Sequence, residues 1–143
     1  MAIKSEIVAH SLNEQGDELI SVLCTFPRII LAEVNTHRML SKNTSSSRAI
    51  PFEKMVEAVQ TNPFIPIAWQ KDHKGMQGSE YLTGDFEIQE ANSTWLIARD
   101  KAIHEAKNLN RIKVTKQLCN RLLEPFMWHT VLITASEWEN FFA

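Results

Sequence analysis

Cysteine is scarce in this chain: Cys24 and Cys119 are the only two, both in apolar stretches and without the paired spacing of a metal site. They read as buried thiols of a reducing compartment, which makes the cytoplasm the expected location and leaves no disulfide framework. No apolar run approaches the ~20 residues that a membrane span requires. The opening Met-Ala-Ile-Lys-Ser-Glu lacks the apolar core of a signal peptide. An excess of positive charge is missing too. A net charge of −2 argues against a dedicated nucleic-acid binder, which is basic overall or over one face. His104-Glu105 has no second histidine four residues on, as a zinc helix requires, so no metal is expected. What remains is a 143-residue chain, 44% apolar and 22% charged, that suits one domain with a real core.

Residues 3–11 and 18–26 read as two strands around Asn13-Glu14-Gln15-Gly16-Asp17. In the second strand Ile20, Val22, Cys24 and Phe26 form one apolar face at a period of two. Pro27 suits the first turn of a short helix reaching Val34, with Ile30 and Val34 inward. Pro51 opens another helix, in which Phe52, Met55, Val56 and Val59 recur at helical spacing before Thr61-Asn62-Pro63 stops it. Residues 63–91 carry three of the four glycines and predict a long excursion bearing Trp69, His73, Met76 and Tyr81. Its aromatics suit either ring stacking or plain surface irregularity. Helices are predicted over Ser93–Leu109, with Trp95, Ala98, Ala102, Ala106 and Leu109 aligned, and over Val114–Leu123, with Val114, Leu118 and Leu122 inward and Pro125 closing it. Residues 126–135 have the β-branched and aromatic load of a buried strand, and His129 within it reads as a satisfied core histidine. A last helix opens at Glu137, capped by Ser136 or Thr134. The class is α+β: an antiparallel sheet packed with helices.

Between the packed elements lies the stretch from Glu33 to Pro51. Its nineteen positions hold one histidine, two arginines, one lysine and four serines, with no glycine. Guanidinium forks, hydroxyls and free backbone N–H groups suit an oxyanion such as phosphate. A solvated connection between helices, its serines acting as caps, has the same composition. The spacing separates the two readings: Thr36-His37-Arg38-x-x-Ser41-x-Asn43-Thr44-x-Ser46-x-Arg48.

This pattern resembles the R-H-R-x-x-S-x-N-E-x-S-x-R signature of the flavin-dependent thymidylate synthases (the ThyX family), and the Ser-Ser-Ser-Arg-Ala-Ile-Pro ending is similar to the phage-type branch. Six of the eight specified positions match without a gap: His37, Arg38, Ser41, Asn43, Ser46 and Arg48. Thr36 stands in place of an arginine and Thr44 in place of a glutamate. A second segment, Asn120-Arg121-Leu-Leu-Glu124-Pro125, resembles the family's A-R-x-x-L-P. Thr134-Ala-Ser136 lies where the family has N-x-R, and Asn140-Phe141 matches its N-F. The family's His-x-Thr-Pro-Phe-Glu-His segment is absent. The resemblance covers roughly residues 19–143.

The resemblance implies one flavin-dependent thymidylate synthase domain over 1–143 that methylates dUMP, or a modified deoxyuridylate, to the thymidylate. FAD would be the cofactor, with NADPH and methylenetetrahydrofolate as co-substrates. Arg48 and Arg121 would clamp the nucleotide phosphate, with Ser46 and Ser47 completing the cradle and Glu33 and Thr44 beside the pyrimidine. Thr36, His37, Arg38, Thr44, Thr134, Ser136 and Asn140 would face the flavin. The family's uracil-ionising arginine would fall beyond Ala143, so no catalytic residue is assigned. On this reading the chain is a truncated or split protomer, of low activity alone, and it works as a homotetramer or with a complementing C-terminal chain, in the host cytoplasm if phage-encoded. A non-catalytic nucleotide- or flavin-binding module would bind without turnover. A DNA-binding use of the Arg/Lys/Ser loop would show strong salt dependence, against the acidic balance.

Overall fold

A computed structural model of the chain describes residues 3–75 and 78–139. The predicted hairpin forms from β1 (Lys4–Leu12) and β2 (Glu18–Pro27). Its turn is built by Asn13, whose Oδ1 accepts from the N–H groups of Gln15 and Asp17 at 3.0 and 2.8 Å. Gly16 takes a φ of +88° there, which a side chain would oppose. Among the described residues β1 pairs only with β2, and it has a bulge between Ile7 and Ala9. β4 (Trp128–Ala135) runs antiparallel along the other side of β2, and a short β3 (Ser41–Thr44) adds to its far edge. The sheet order is β1-β2-β4-β3.

One face of this sheet carries Phe26, Val131, Ile133 and Ala135, sealed by Leu40 and by the partly buried Leu31, Val34 and Trp138. Of the apolar stripe of β2 expected from its alternation, Phe26 and Cys24 join this core, while Ile20 and Val22 are half-buried along an open trough. Cys24 is only partly buried, whereas Cys119 is fully buried; burial pushes the Cys24 thiol up. On the opposite face, hydroxyl pairs bridge the strands: Ser21–Thr134 at 2.7 Å and Thr25–Thr130 at 2.9 Å.

The chain after β2 makes a 3-10 turn at Arg28–Ile30 before α1 (Leu31–Thr36). Val34 packs inward, but Ile30 is 40% exposed, since it belongs to the turn and is out of phase with the helix. α2 (Phe52–Thr61) buries Phe52, Met55, Val56 and Val59, as its spacing predicts. α3 (Asp85–Arg111) begins eight residues earlier than Ser93 and buries Ile103 and Ala106. The excursion before it packs through rings: Trp69 lies edge-on to Trp95 and donates from Nε1 to Asn92 Oδ1 at 3.0 Å. Trp69 is thus used by α3. Met76 lies outside the described residues.

Where one helix is expected over Val114–Leu123, α4 spans only Lys116–Cys119 and a 3-10 segment follows from Asn120 to Phe126, with Pro125 inside it. The inward stripe lies one residue later than the spacing predicts. Cys119 and Leu123 are fully buried, while Leu118 and Leu122 are 54% and 40% exposed. Cys119, Leu123, Phe126 and Met127 join the buried residues of α2 and α3 in a second core. Thr134 lies within β4, which removes it as a cap for the helix expected at Glu137. Among the described residues, no helix is long and apolar enough to cross a membrane.

Candidate functional site

The polar stretch expected as loop from Glu33 to Pro51 folds in three parts. Leu40 is its apolar anchor, 5% exposed, and this pins the corner between α1 and β3. There Thr36 Oγ1 donates to Glu33 O at 2.6 Å, and Lys42 Nζ donates to His37 O at 2.5 Å. His37 is half-buried, whereas Glu33, Thr36 and Arg38 are exposed. β3 then brings Thr44 against β4. After it, residues 45–50 turn away toward α2, with Ala49 N–H donating to Ser46 O at 2.9 Å. Ser46 Oγ accepts from the backbone N–H and the Nε of Arg48, at 3.3 and 3.4 Å. That contact folds the exposed Arg48 side chain back over its own turn.

Ser47 joins this turn to the second motif segment. It is 4% exposed, and its Oγ donates to Glu124 Oε1 at 2.6 Å across a separation of 77 residues. Asn120, fully buried, donates from Nδ2 to Ser47 O at 2.8 Å and to Ile50 O at 3.0 Å. Lys116 Nζ adds a contact to Ala49 O at 3.3 Å. The amide of Asn120 therefore supplies two donors to loop carbonyls that have no sheet or helix partner; such bonds contribute about 1 kcal/mol each. The glutamate that stands where the resemblance expects leucine serves the same joint.

Beneath it lies a second polar group. Arg28 donates from Nη2 to Glu124 Oε1 at 3.4 Å, and its Nη1 lies 3.4 and 3.2 Å from Nδ1 and Nε2 of His129. His129 Nε2 is 3.1 Å from Thr44 Oγ1, which itself donates to Thr130 O at 2.7 Å. Burial first, then the Arg28 charge, holds the His129 pKa below its usual value, with Glu124 opposing. The core reading of His129 stands: it is 5% exposed and fully engaged.

An open groove of about 490 Å³ runs over this joint, lined by Arg28, Asn35, Arg121 and Glu124 among apolar Ile29, Leu31 and Pro125. Two guanidinium groups with one carboxylate give it a cationic surplus suited to an anion. The pairing differs from the expected one. Within this chain Arg121 shares its groove with Arg28, while Arg48 does not line it. Arg28 gives no sequence signal beyond being an arginine after a strand-ending proline, and Asn120 and Glu124 show only as departures from a motif.

Of the residues assigned to a flavin by resemblance, three threonines already have hydrogen-bond partners within the chain. The hydroxyls of Thr36, Thr44 and Thr134 are spent on Glu33 O, Thr130 O and Ser21. Ser136 alone lines an apolar trough, with Ile20, Val22, Ile133 and Trp138. Asn140 lies outside the described residues. No group of three or more metal-ligating side chains occurs among the described residues.

No protein-family model and no curated protein matches the chain. Two solved structures of a UMP/dUMP methylase, PolB from Streptomyces cacaoi, do match it in shape. The one bound with 5-Br UMP has a TM-score of 0.73 at 16% identity, covering 94% of this chain and 71% of that one. The one bound with 5-Br dUMP has a TM-score of 0.71 at 12% identity, covering 94% and 73%. The chain is thus α+β, an antiparallel sheet packed with helices, and shares its fold with a UMP/dUMP methylase.

Proposed function

We propose that this chain binds a uridylate, dUMP or a modified analogue, at the joint between residues 41–50 and 120–126, and serves its methylation as one domain. The observation that carries this reading is the joint itself. Two segments that resemble the nucleotide-binding motifs of one family, far apart in sequence, are fastened by Ser47–Glu124 and by Asn120 to both ends of the turn. The shared fold supports it, because the similar protein is described as a UMP/dUMP methylase.

In this reading Arg121 and Arg28 meet the phosphate across the groove, each charge-assisted bond contributing ~1.5–3 kcal/mol. Ser46, Ser47 and Arg48 supply the loop side of the cradle. Arg48 reaches the phosphate by leaving Ser46, within the chain or across a contact with a second copy in an oligomer such as a tetramer. Glu33 accepts from the uracil N3–H, and Thr44 replaces a carboxylate with a neutral hydroxyl, which favours an anionic ligand. FAD, with NADPH and methylenetetrahydrofolate, would supply the hydride and carbon chemistry; in this chain His37, Arg38 and Ser136 would face the flavin. The spent threonine hydroxyls favour a second reading, a nucleotide-binding module without turnover.

Calorimetry with dUMP and with deoxyuridine tests the nucleotide reading. We expect dUMP to bind, deoxyuridine to bind far more weakly, and Arg121→Ala to weaken dUMP at least tenfold. Equal affinity for the two ligands, or none for dUMP, would overturn it. An absorbance scan of the purified protein for flavin bands at ~375 and ~450 nm, with and without dUMP, separates the flavoenzyme from the module.

A further inference from the structure

His129 sits where β4, β3 and the two 3-10 segments meet, and its neighbours favour one tautomer. Thr44 has one hydroxyl proton, and it goes to Thr130 O at 2.7 Å. At 3.1 Å from the same oxygen, His129 Nε2 must therefore donate. Arg28 Nη1 lies against the same ring, 3.4 Å from Nδ1 and 3.2 Å from Nε2, so a neutral imidazole with a bare Nδ1 suits the site. A second proton on Nδ1 would set an imidazolium against that guanidinium. Arg28 also holds Glu124, and Glu124 holds Ser47. Both ends of the turn thus depend on one arginine.

The charged groups around the ring are few. Arg28 comes from the turn after β2, and Glu124 from the 3-10 segment, with Arg121 in the groove beside it. Lys42, on the same face of β3 as Thr44, is directed at His37 O. Phe26 contributes a ring edge, its centroid 6.0 Å away.

We propose that His129, as its neutral Nε2–H tautomer, is a positioning residue for the 44–48 turn: it sets Thr44 while Glu124 sets Ser47, with Arg28 shared between them. Its consequence for ligand rests on the nucleotide reading above; its consequence for the loop does not. The turn is presented to ligand in one arrangement while the imidazole is neutral; when the ring charges, Nε2–H still holds Thr44, but Arg28 is repelled and the Ser47 end, held through Glu124, loosens.

Nitrogen-15 spectra of the full 143-residue chain test this directly. We expect a protonated Nε2 and a bare Nδ1 at neutral pH, and amide signals of Thr44, Ser46, Ser47 and Arg48 that move with the His129 titration. In His129→Leu those amides should shift and exchange faster, and dUMP should bind five- to tenfold more weakly. His129→Gln, which keeps a donor for Thr44, should restore affinity to within about twofold. An Nδ1–H tautomer, or loop amides indifferent to His129, would overturn the proposal even if dUMP binds. Loop amides that follow His129 in a protein that ignores dUMP would uphold it and instead remove the nucleotide reading.

Discussion

At His129, burial disfavours the imidazolium, the Arg28 guanidinium adds to that, and Glu124 offsets part of it. The folded-state pKa therefore lies below the unfolded value of about 6.5. Above that value both states are neutral, and the histidine leaves stability independent of pH. As pH falls from there through the folded pKa, the unfolded chain binds the proton first and stability drops. Denaturant melts of wild type and His129→Gln between pH 7.5 and 5 should diverge toward the acid end, with the wild type losing more; parallel curves would refute the assignment. Of the residues in this cluster, sequence displayed Thr44, Ser47 and His129, each with a role or an environment that could be argued. It could not display Arg28. A lone arginine after a strand gains its meaning only when the sheet brings β4 beside it.

The elements were legible where one periodicity persists. The alternation of β2 and the helical stripe of α2 each survive because a single neighbour covers a single face. β3 was hidden for the opposite reason. Four polar residues, Ser41–Thr44, form a strand because β4 offers them an open edge, and their own composition says nothing of it. After α3 the difference is one of phase: the helix restarts at Lys116 with Thr115 as its N-cap, and the inward stripe is Cys119 and Leu123 rather than Leu118 and Leu122. The end of α3 explains how the chain changes direction there. Lys113 N–H donates to Asn110 O and Val114 N–H to Leu109 O, both at 3.0 Å, around a φ of +66° at Lys113. That is a Schellman closure with a lysine where glycine is favoured. Lys113→Gly should stabilise the protein by up to about 1 kcal/mol, read as a higher denaturation midpoint at unchanged slope. A fall in midpoint would show that the lysine is held there by something else.

Across the molecule, protection should follow sheet position. β4 is flanked on both sides and carries Val131 at 0% and Ile133 at 2% exposure, whereas every residue of β1 is exposed and, among the described residues, its sole strand neighbour is β2. Hydrogen exchange should give slow amides in β4 and in the half of β2 facing it, and amides in β1 that open without global unfolding. Equal protection in β1 and β4 would mean that the hairpin's outer strand is covered by something beyond this chain. The fold class was readable at this scale, since hairpin, helices and a late apolar strand leave few arrangements; the strand order was not.

That order also sets a timetable for biosynthesis. The strand that completes the middle of the sheet is synthesised after the other three, and its first residue pairs with Pro27 across a span of roughly a hundred residues. Until then β2 has an unfilled edge, while the hairpin and α2 can already exist. Maturation of a nascent chain should thus be late and abrupt, at the millisecond-to-second pace of long-range pairing, with an open strand edge waiting meanwhile for a chaperone or for a misplaced neighbour.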